Sequence, residues 1–428
     1  MKILFVANSY HPSVGGIQTQ LRLVAHDLAT RHHVEVAAVN FRSAEQRRRP
    51  SGPASRLVGP RSVHAFQSNL LLRHHPSYQD GRVPVHAITA STNGRLRLLP
   101  FAWQKIRPTR RTDSWWRRAG FEAFLSAVVP QLRLLMRGTD IVHALASGRL
   151  GWAAEAAARA EGVPFLITPY LHVDQKRNPV SQIELCQRAD VVFALLESDA
   201  RMLAELGVSE EKIRLLGVVP LLPPTCDPQA FRSRHGLVGK PIVLFVGRVT
   251  EAKGVRAMLD AAPAVWAHLP DVHFLFAGPA GETERAWFAN RPDDRVRYLG
   301  LISEQEKADA LAACDLFAMP SKYEILPAVY LEAWTYGKAV VGGTAHGLKA
   351  LIEGHSAGIV IEQDPAAIGE QIVELLRDEP RRRRMGERGR DLVKARFSRE
   401  SVTRALEAAY LPLIEAGEAG LRSAEGGA

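Results

Sequence analysis

Short runs of apolar residues alternate along the chain with longer stretches in which apolar positions recur at helical spacing. In the first half these runs read KILFVAN, HVEVAAV, DIVHAL, PFLIT, DVVFALL and KIRLL, and in the second half PIVLFVGR, VHFLFAG, VRYLG, DLFAMPS, AVVGG and GIVI. Near-continuous apolar strands separated by amphipathic helices are typical of parallel sheets that helices cover on both faces. Two such sets predict an α/β fold with two doubly wound domains.

The boundary between the two predicted domains lies in GVVPLLPPTCDPQAFRSRHG, residues 217–236, where prolines cluster and the periodicity lapses. We predict an N-terminal domain over residues 1–218 and a C-terminal domain over residues 219–399. A helix over about residues 400–420 is expected to pack back onto the first domain. Residues 43–118 show little clear order, so we predict a long insertion of loops there, with one helix near FEAFLSAVVPQLRLLM.

The net charge of +10 is concentrated in one segment of the chain. Sixteen Lys or Arg residues and three acidic residues lie between Arg42 and Arg118, whereas the rest of the chain has 39 basic and 42 acidic residues. Arginines flank Trp115 and Trp116 in this segment, a pattern suited to anionic lipid or to a phosphorylated acceptor. A solvated arginine-rich surface is the other interpretation. Nucleic acid is not an expected partner, since the sequence has no signature of a nucleic-acid-binding module.

The ends and the cysteines of the chain guide the expected location. No apolar run approaches the length of a membrane span, and Met1 leads directly into a strand-like segment rather than a signal peptide. We therefore expect a cytoplasmic protein, with residues 42–118 as a candidate contact with the inner face of the membrane. Three widely spaced cysteines suggest neither a disulfide framework nor a zinc site.

Several candidate ligand-binding residues follow predicted strands, where open parallel sheets bind their ligands. Gly15 and Gly16 come after the first strand and open a helix, so the backbone can approach a ligand and the helix N-terminus attracts an anion. Arg248 and Lys253 follow the strand IVLFVGR, and two such cations can hold a diphosphate. Taken singly, a glycine pair also makes an ordinary turn, and two cations an ordinary charged surface.

Two glutamates flank an apolar run in SKYEILPAVYLEAW. If Glu324 and Glu332 lie on one helix, their carboxylates are about 80° apart around the axis and about 12 Å apart along it. At that separation they share neither a proton nor a metal, but they suit a long polar ligand contacted at two points. The alternative is that Glu324 is a first-turn residue favoured by the helix dipole and Glu332 a solvated position.

Taken together, the segments PSVGGIQTQL, GRVTEAKGV and EILPAVYLE, with its E-x7-E spacing, resemble retaining glycosyltransferases of the GT-B fold, specifically family four. The resemblance extends to DPAAIGEQIVELL and is weakest in residues 43–118. It implies two Rossmann-like domains that face each other across a cleft. It also implies transfer of a sugar from a nucleoside diphosphate donor to an acceptor hydroxyl with retention of configuration, without a cofactor or a divalent metal. The chain has no D-x-D sequence.

The resemblance assigns a role to each of the four charged candidates. Arg248 and Lys253 match the pair that holds the donor diphosphate and stabilises charge on the leaving group. Glu324 matches the residue that bonds hydroxyls of the transferred sugar, and Glu332 the residue that binds the ribose. A sugar and a ribose separated by a diphosphate would account for the spacing of the two glutamates.

The resemblance also assigns backbone contacts to the donor phosphates. Gly15 and Gly16 match the glycine loop that approaches the donor phosphate and the acceptor. Pro327 stands where some members have a glycine amide facing the phosphate, and proline lacks an N–H. The amides of Ala328 and Val329 would then serve instead.

Two further positions depart from the pattern of the family. Ile325 stands where glycine often follows the first glutamate, and Lys349 lies near a position where an acid is common. The second change is expected to alter the preference for a donor.

A histidine near the reacting sugar is also expected from the resemblance. His172 in ITPYLHVD is the main candidate, but an alternative alignment of this segment places Tyr170 there. His143 is a weaker candidate. His11, beside the glycine loop, and Tyr170 are candidates for contact with the acceptor.

Three classes of function stay open from the sequence. The leading one is a retaining glycosyltransferase, whose acceptor is a lipid-linked or cell-envelope saccharide or a small soluble molecule. The second is a nucleotide-sugar epimerase of the same fold, which would need no acceptor. The third is a non-catalytic subunit that binds a nucleotide sugar, because a shared fold does not fix activity.

Overall fold

The computed structural model describes residues 1–13, 15–40, 77–90, 93–94, 96–98, 114–171, 180–291 and 293–425, without the side chains of residues 40, 114–117 and 418–425. Its fourteen strands, in chain order, are β1 (Lys2–Ser9), β2 (His33–Asn40), β3 (Tyr78–Asp80), β4 (Val83–Ala87), β5 (Ile141–Leu145), β6 (Phe165–Ile167), β7 (Val191–Ala194), β8 (Ile213–Leu215), β9 (Ile242–Val246), β10 (His273–Ala277), β11 (Val296–Gly300), β12 (Leu316–Met319), β13 (Val340–Gly342) and β14 (Gly358–Val360).

The helices between the strands of the described residues are α1 (Gly16–Leu28), α2 (Ser114–Met136), α3 (Arg149–Glu161), α4 (Val180–Arg188), α5 (Glu197–Glu205), α6 (Pro228–Arg234), α7 (Val255–His268), α8 (Glu282–Ala289), α9 (Glu304–Ala313), α10 (Ala328–Thr335) and α11 (Leu348–Ile352). Three more helices follow the last strand: α12 (Pro365–Arg377), α13 (Glu379–Arg396) and α14 (Arg399–Glu425). Two short 3₁₀ turns lie at Glu210–Lys212 and Glu251–Lys253.

The first sheet has eight strands in the order β3-β4-β2-β1-β5-β6-β7-β8. Every neighbouring pair is parallel except β3 and β4, which form an antiparallel hairpin. The chain runs from β1 outward through β2 to β4 and then returns to the other side of β1 as β5. This reversal creates a switch point between β1 and β5, where a crevice opens at the carboxyl ends of the strands.

The second sheet has six parallel strands in the order β11-β10-β9-β12-β13-β14. Its switch point lies between β9 and β12. All twelve apolar runs identified in the sequence form strands, six in each sheet, which confirms the predicted α/β fold class with two doubly wound domains.

The interval predicted as an unordered insertion contributes two strands to the first sheet, so that prediction was wrong for residues 77–90. Strand β4 lies parallel to β2, with Val85 opposite Val36, and β3 forms the sheet edge. Val83 and Val85 are fully buried, because they face the core beneath α1. Residues 41–76 and 99–113, which include most of the basic segment, lie outside the described residues.

Helix α2 extends seven residues further toward the N-terminus than the helix predicted near FEAFLSAVVPQLRLLM. Its stretch Arg118–Met136 has the length and composition of a membrane span, with 28% of its residues buried. Val128, Leu132 and Met136 are fully buried and pack into the core of the first domain. Through these residues, α2 covers part of the first sheet.

The last helix, α14, packs on the first domain although it follows the second domain in the chain. Val402, Leu406 and Tyr410 are buried among side chains of β1, α1 and β2. The Tyr410 hydroxyl lies 2.7 Å from Nδ1 of His143 on β5. The chain therefore crosses between the domains twice, once after β8 and once between α13 and α14.

The two crossings lie side by side. A Cβ added to Gly217, in the first crossing, would collide with the carbonyl oxygen of Arg396, at the start of the second, and lie 3.1 Å from the ring of Phe397. Helix α1 also holds the first crossing, since the Gln20 carboxamide exchanges hydrogen bonds of 2.6 and 2.7 Å with the backbone of Val219. The seam between the domains is thus fixed at neighbouring points.

Candidate active site

Two loops meet at the switch point of the second sheet. One follows β9 and leads through the exposed Arg248 to Lys253, and the other follows β12 and carries Glu324. The Lys253 ammonium forms an ion pair with the Glu324 carboxylate, and these side chains are only 19% and 12% exposed. The structure therefore brings together two candidates that are 71 positions apart in the sequence.

The backbones of these loops lie too close together for a side chain at two glycines. Gly254 has a φ of +82°, and an added Cβ would lie 2.6 Å from Cγ of Pro320. A Cβ on Gly343, just after β13, would collide with the backbone of Ser321. Only glycine allows this approach. The positions of Lys253 and Glu324 are therefore set by backbone packing as well as by their own ion pair.

Glu324 does not lie on a helix, so the prediction that it shares one with Glu332 was wrong. Helix α10 begins at Ala328, with Pro327 as an N-cap that offers no side-chain hydrogen bond. Ala328 and Val329 hold the first two positions of the helix, whose N–H groups have no partner within it. Both amides are thus placed where an anion can use them.

Glu332 lies on α10 and is 5% exposed. Burial raises the pKa of this carboxyl, whereas the Lys307 ammonium, 3.0 Å from Oε1, and the N–H of Leu221 oppose that shift. Burial lowers the pKa of Lys307, but attraction from Glu332 and Glu304 outweighs it, and the pKa of Lys307 is raised. A carboxylate has about four acceptor positions, so Glu332 keeps capacity for the hydroxyls of a ligand. Since Leu221 belongs to the first crossing, this position borders the seam between the domains.

The glycine loop of the first domain leaves open space in front of α1. Gly15 is the N-cap, in an extended conformation with a φ of 168°, and an added Cβ would meet the flexible end of Gln18. A Cβ on Gly16 would meet no atom within 4 Å. These glycines are therefore not required by a left-handed backbone. They leave the start of α1 accessible, as the approach of a ligand requires.

Behind the glycine loop lies a polar cluster that sequence reasoning missed. Asp80, at the end of β3, is 7% exposed and accepts two hydrogen bonds of 2.8 Å from Arg22 and one of 3.1 Å from Tyr10. Nε2 of His26 lies 3.1 Å from the same carboxylate. Burial raises the pKa of Asp80, but hydrogen bonds from Arg22 and Tyr10 and the nearby His26 imidazole outweigh it and lower the pKa to about 2.

The β3–β4 hairpin also holds His11, one of the acceptor candidates. The Tyr78 hydroxyl donates to the carbonyl oxygen of His11. Nδ1 of His11 is buried without a hydrogen-bond partner in the part of the chain that the structure describes. Burial lowers the pKa of this imidazole, and Arg22 lowers it further. His11 is therefore neutral at pH 7, and its buried Nδ1 lies beside the glycine loop.

Of the candidates in ITPYLHVD, His172 lies outside the described residues, and Tyr170 is at the seam of the domains. Tyr170 follows β6 and packs against side chains from the cores of both domains. Burial raises the pKa of its hydroxyl. Its φ of +47° is unusual for a residue with a bulky side chain, and such strain is found most often at functional sites.

His143 is a core residue rather than a site residue. It is 2% exposed, and its Nε2 lies 2.8 Å from the Thr168 hydroxyl while Nδ1 bonds Tyr410. Burial lowers the pKa of His143 to about 3, so the ring is neutral. With both nitrogens occupied, it is not available to a substrate.

The two departures from the family pattern differ in their surroundings. Ile325 is half-buried and packs on the core of the second domain. The Lys349 side chain is 80% exposed on α11, and its Nζ lies 3.9 Å from Glu353. Within the described ranges, no group of three or more His, Cys, Asp or Glu residues is placed to hold a metal ion.

Comparison with known proteins finds similarity to glycosyltransferases. Residues 240–378 match the family model described as "Glycosyl transferases group 1". The chain is 34% identical over 171 residues to alpha-D-kanosaminyltransferase of Streptomyces kanamyceticus, which covers 39% of this chain and 44% of the relative. It is 33% identical over 184 residues to a GDP-mannose-dependent phosphatidylinositol monomannoside mannosyltransferase of Corynebacterium glutamicum, which covers 41% and 48%. The matched segments thus span about half the length of these relatives.

The fold is shared over nearly the whole chain. The crystal structure of Anabaena HepE in complex with UDP matches with a TM-score of 0.68 at 17% identity, covering 95% of this chain and 99% of that one. This likeness, with the two doubly wound domains described above, confirms the predicted GT-B architecture. The resemblance to group 1 glycosyltransferases is confirmed through the second domain, which contains Arg248, Lys253, Glu324 and Glu332.

Proposed function

Since residues 240–378 match the model of the glycosyl transferases group 1 family, we propose that this protein transfers a glycosyl group from a nucleoside diphosphate sugar to an acceptor hydroxyl. The observation that carries the proposal is the meeting of Lys253 and Glu324 at the switch point between β9 and β12. An ammonium and a carboxylate held together there match the two ends of a sugar diphosphate. The ammonium suits the phosphates, and the carboxylate suits the hydroxyls of the sugar.

In this proposal the donor breaks the ion pair between Lys253 and Glu324 and contacts both side chains. The diphosphate takes the Lys253 ammonium and the Arg248 guanidinium, with the amides of Ala328 and Val329 as further donors. Glu324, released from Lys253, accepts hydrogen bonds from hydroxyls of the sugar. Glu332 accepts from the ribose, and the Lys307 ammonium lies 3.0 Å from its Oε1. The nucleoside diphosphate gains negative charge as it leaves, and fixed cations lower the barrier to that step.

The reaction is proposed to retain the anomeric configuration without a divalent metal. The bond from the anomeric carbon to the donor phosphate breaks as the bond to the acceptor oxygen forms on the same face. The acceptor proton passes to the oxygen of the leaving phosphate. Support for independence from a metal comes from the two cations at the switch point, which supply positive charge at the diphosphate.

The base of the donor is proposed from the relatives. The fold of the chain is shared with HepE, a structure determined with UDP, and one relative of the chain is GDP-mannose-dependent by name. UDP and GDP are therefore the first nucleotides to test, with ADP as a third.

We expect the matching nucleoside diphosphate and its sugar conjugate to raise the melting temperature of the wild-type protein. A ligand at about one hundred times its dissociation constant stabilises the folded state by about 2.7 kcal/mol. Replacement of Glu332 by glutamine should remove most of that shift, because a carboxamide is a weaker partner for ribose hydroxyls. Differential scanning fluorimetry with UDP, GDP, ADP and their sugars measures the effect.

Glu353→Gln is the control for this experiment, since it removes an exposed carboxylate of the same domain just after α11. The control should keep the full shift. If no nucleotide at millimolar concentration stabilises the wild-type protein, the proposed transferase activity is contradicted, and a protein without a donor site becomes the better description.

The acceptor is proposed to be a lipid-linked or cell-envelope saccharide at the inner face of the membrane, reached by a cytoplasmic, peripherally bound protein. Helix α2 supports this through its length and apolar composition and through Leu134, which is 62% exposed. The Arg-rich segment immediately precedes this helix, and arginine next to tryptophan suits an anionic interface. A small soluble acceptor is the variant to be distinguished.

Binding to anionic vesicles is expected to fall steeply with added salt. Ions screen the attraction between exposed charges, with a Debye length of about 10 Å at 0.1 M and about 3 Å at 1 M. Co-sedimentation with phosphatidylglycerol vesicles at several salt concentrations measures the dependence, and phosphatidylcholine vesicles are the neutral control. Equal binding to both kinds of vesicle would argue instead for a soluble acceptor.

A further inference from the structure

The Gln363 side chain connects the two loops that carry the ion pair. Gln363 lies on the turn after β14, and its Nε2 donates to the carbonyl oxygen of Ala252 at 3.0 Å and to that of Pro320 at 2.7 Å. Ala252 immediately precedes Lys253, and Pro320 lies four positions before Glu324. One carboxamide thus holds a carbonyl from each loop.

The carbonyl oxygen of Ala252 is the centre of this connection. It also accepts a 2.9 Å hydrogen bond from the backbone N–H of Lys322, which belongs to the second loop. The two loops are therefore joined directly at Lys322 and indirectly through Gln363. Gly254 lies against Pro320 on the same side. Of these contacts, only that of Gln363 comes from a side chain on a third element.

We propose that Gln363 is a positioning residue that sets the spacing between Lys253 and Glu324. The proposal rests on the proposed function, in which these two side chains bind the diphosphate and the sugar of one donor. A primary carboxamide has two N–H donors, so it can satisfy both carbonyls at once. A side chain without those donors leaves the Ala252 carbonyl bonded only to Lys322 and, at 3.5 Å, to the Ser321 hydroxyl of the second loop. The spacing of the ammonium and the carboxylate then varies.

Loss of the Gln363 contacts should weaken binding of the sugar more than binding of the nucleotide. A misplacement of about 1 Å, even by a residue away from the chemistry, can cost about 100-fold in rate. A nucleoside diphosphate without its sugar needs Lys253 but not Glu324, so it tolerates variable spacing. A sugar nucleotide must contact both side chains at once, so it does not tolerate variable spacing.

Hydrogen exchange in the free protein tests the structural part of the inference without any ligand. Gln363→Met keeps the length of the side chain and removes its donors. We expect exchange at the amides of Lys253, Gly254 and Lys322 to become about tenfold faster, since their loops open locally more often. Gln187→Leu is the matched control, because it removes a 3.2 Å bond from a glutamine to the carbonyl of Leu206 in the first domain.

Binding measurements test the functional part. The readout is the ratio of the dissociation constants of UDP and UDP-glucose, and of GDP and GDP-mannose, by calorimetry. Gln363→Met should reduce the extra affinity that the sugar adds by about tenfold, with kcat lowered more than KM is raised. General loss of stability would not change this ratio, and Gln187→Leu should leave it intact.

The outcomes separate the two proposals. Unchanged exchange at the three amides overturns the positioning role, whatever happens to binding. Faster exchange with an unchanged ratio of dissociation constants overturns the link to the sugar. If neither nucleotide pair binds the wild-type protein, the proposed function fails, and exchange alone decides whether Gln363 fixes the loops.

Discussion

Replacement of Lys253 by alanine is expected to lower kcat for glycosyl transfer by at least about 100-fold, the usual loss when one group that stabilises developing charge is removed. In the free protein its ammonium is paired with Glu324 in a site where both side chains are mostly buried. In the donor complex we propose that it faces the leaving diphosphate, whose charge grows as the sugar departs. Arg248 would remain but is exposed to solvent, so it replaces little of the lost interaction.

Initial rates with the sugar nucleotide that stabilises the wild-type protein measure the loss. Lys394→Ala is the control, because that lysine of the same domain is exposed on α13 and is expected to leave kcat within about twofold, as for most exposed surface changes. A Lys253→Ala protein with the wild-type kcat and only a raised KM would assign Lys253 to ground-state binding. The proposed role at the leaving group would then be wrong.

Replacement of Asp80 by asparagine is expected to lower the free energy of unfolding by about 2 to 3 kcal/mol at pH 7. The carboxylate is 7% exposed and holds Arg22, Tyr10 and His26. An asparagine keeps one acceptor oxygen but leaves the Arg22 charge unneutralised in a half-buried position. Urea unfolding of the two proteins at pH 7 measures the difference, if the m-value stays constant.

This difference should shrink in acid. The pKa of Asp80 is about 2 in the folded protein and near its ordinary value of 3.8 in the unfolded chain. A lowered pKa stabilises the fold fully above the unfolded value, and that stabilisation is lost as the pH falls through the folded value. Linkage gives a contribution of about 2 kcal/mol at neutral pH, of which about half is lost by pH 3.

Glu122→Gln is the matched control for Asp80→Asn. Glu122 and Arg118 form an ion pair on the surface of α2 with side chains 63% and 82% exposed. Such pairs contribute about 0 to 1 kcal/mol, so the control should be nearly neutral at either pH. A difference between wild type and Asp80→Asn that is the same at pH 3 and pH 6 would show that the carboxylate charge is not what stabilises the cluster.

The strands of both sheets were predictable because nearly all are buried on both faces and read as continuous apolar runs. Strands β3 and β4 were not, for physical reasons. Three residues, Tyr78–Asp80, give no period, and Pro84 weakens the case for a strand in β4. Proline is tolerated there because Gln79, the residue opposite it, belongs to the edge strand.

The sequence predicted the site where a charged residue follows a strand. Lys253 and Glu324 are such a case, and the structure places them in contact. The helical relation between Glu324 and Glu332 failed because Pro327 restricts the preceding residue and begins the helix only at Ala328. A local apolar pattern extends across such a boundary without revealing it.

Residues that meet only in the folded protein leave no local signal in the sequence. Asp80 meets Arg22 across 58 positions, and Gln363 meets Ala252 across 111. Single polar residues on turns are common, and nothing nearby in the chain distinguishes these two. Only the sheet topology brings them to their partners.

The two adjacent crossings between the domains also have a mechanical meaning. A rigid body attached to another at two points keeps one free rotation, about the line that joins the points. Here those points are Gly217 and Arg396, whose backbones touch, and the attachment of α14 to the first domain makes the second point firm. Sliding and twisting would strain both connections at once. The motion that these two connections allow is a hinge rotation. A small rotation at Gly217 and Arg396 gives a larger displacement at the far edge of the cleft.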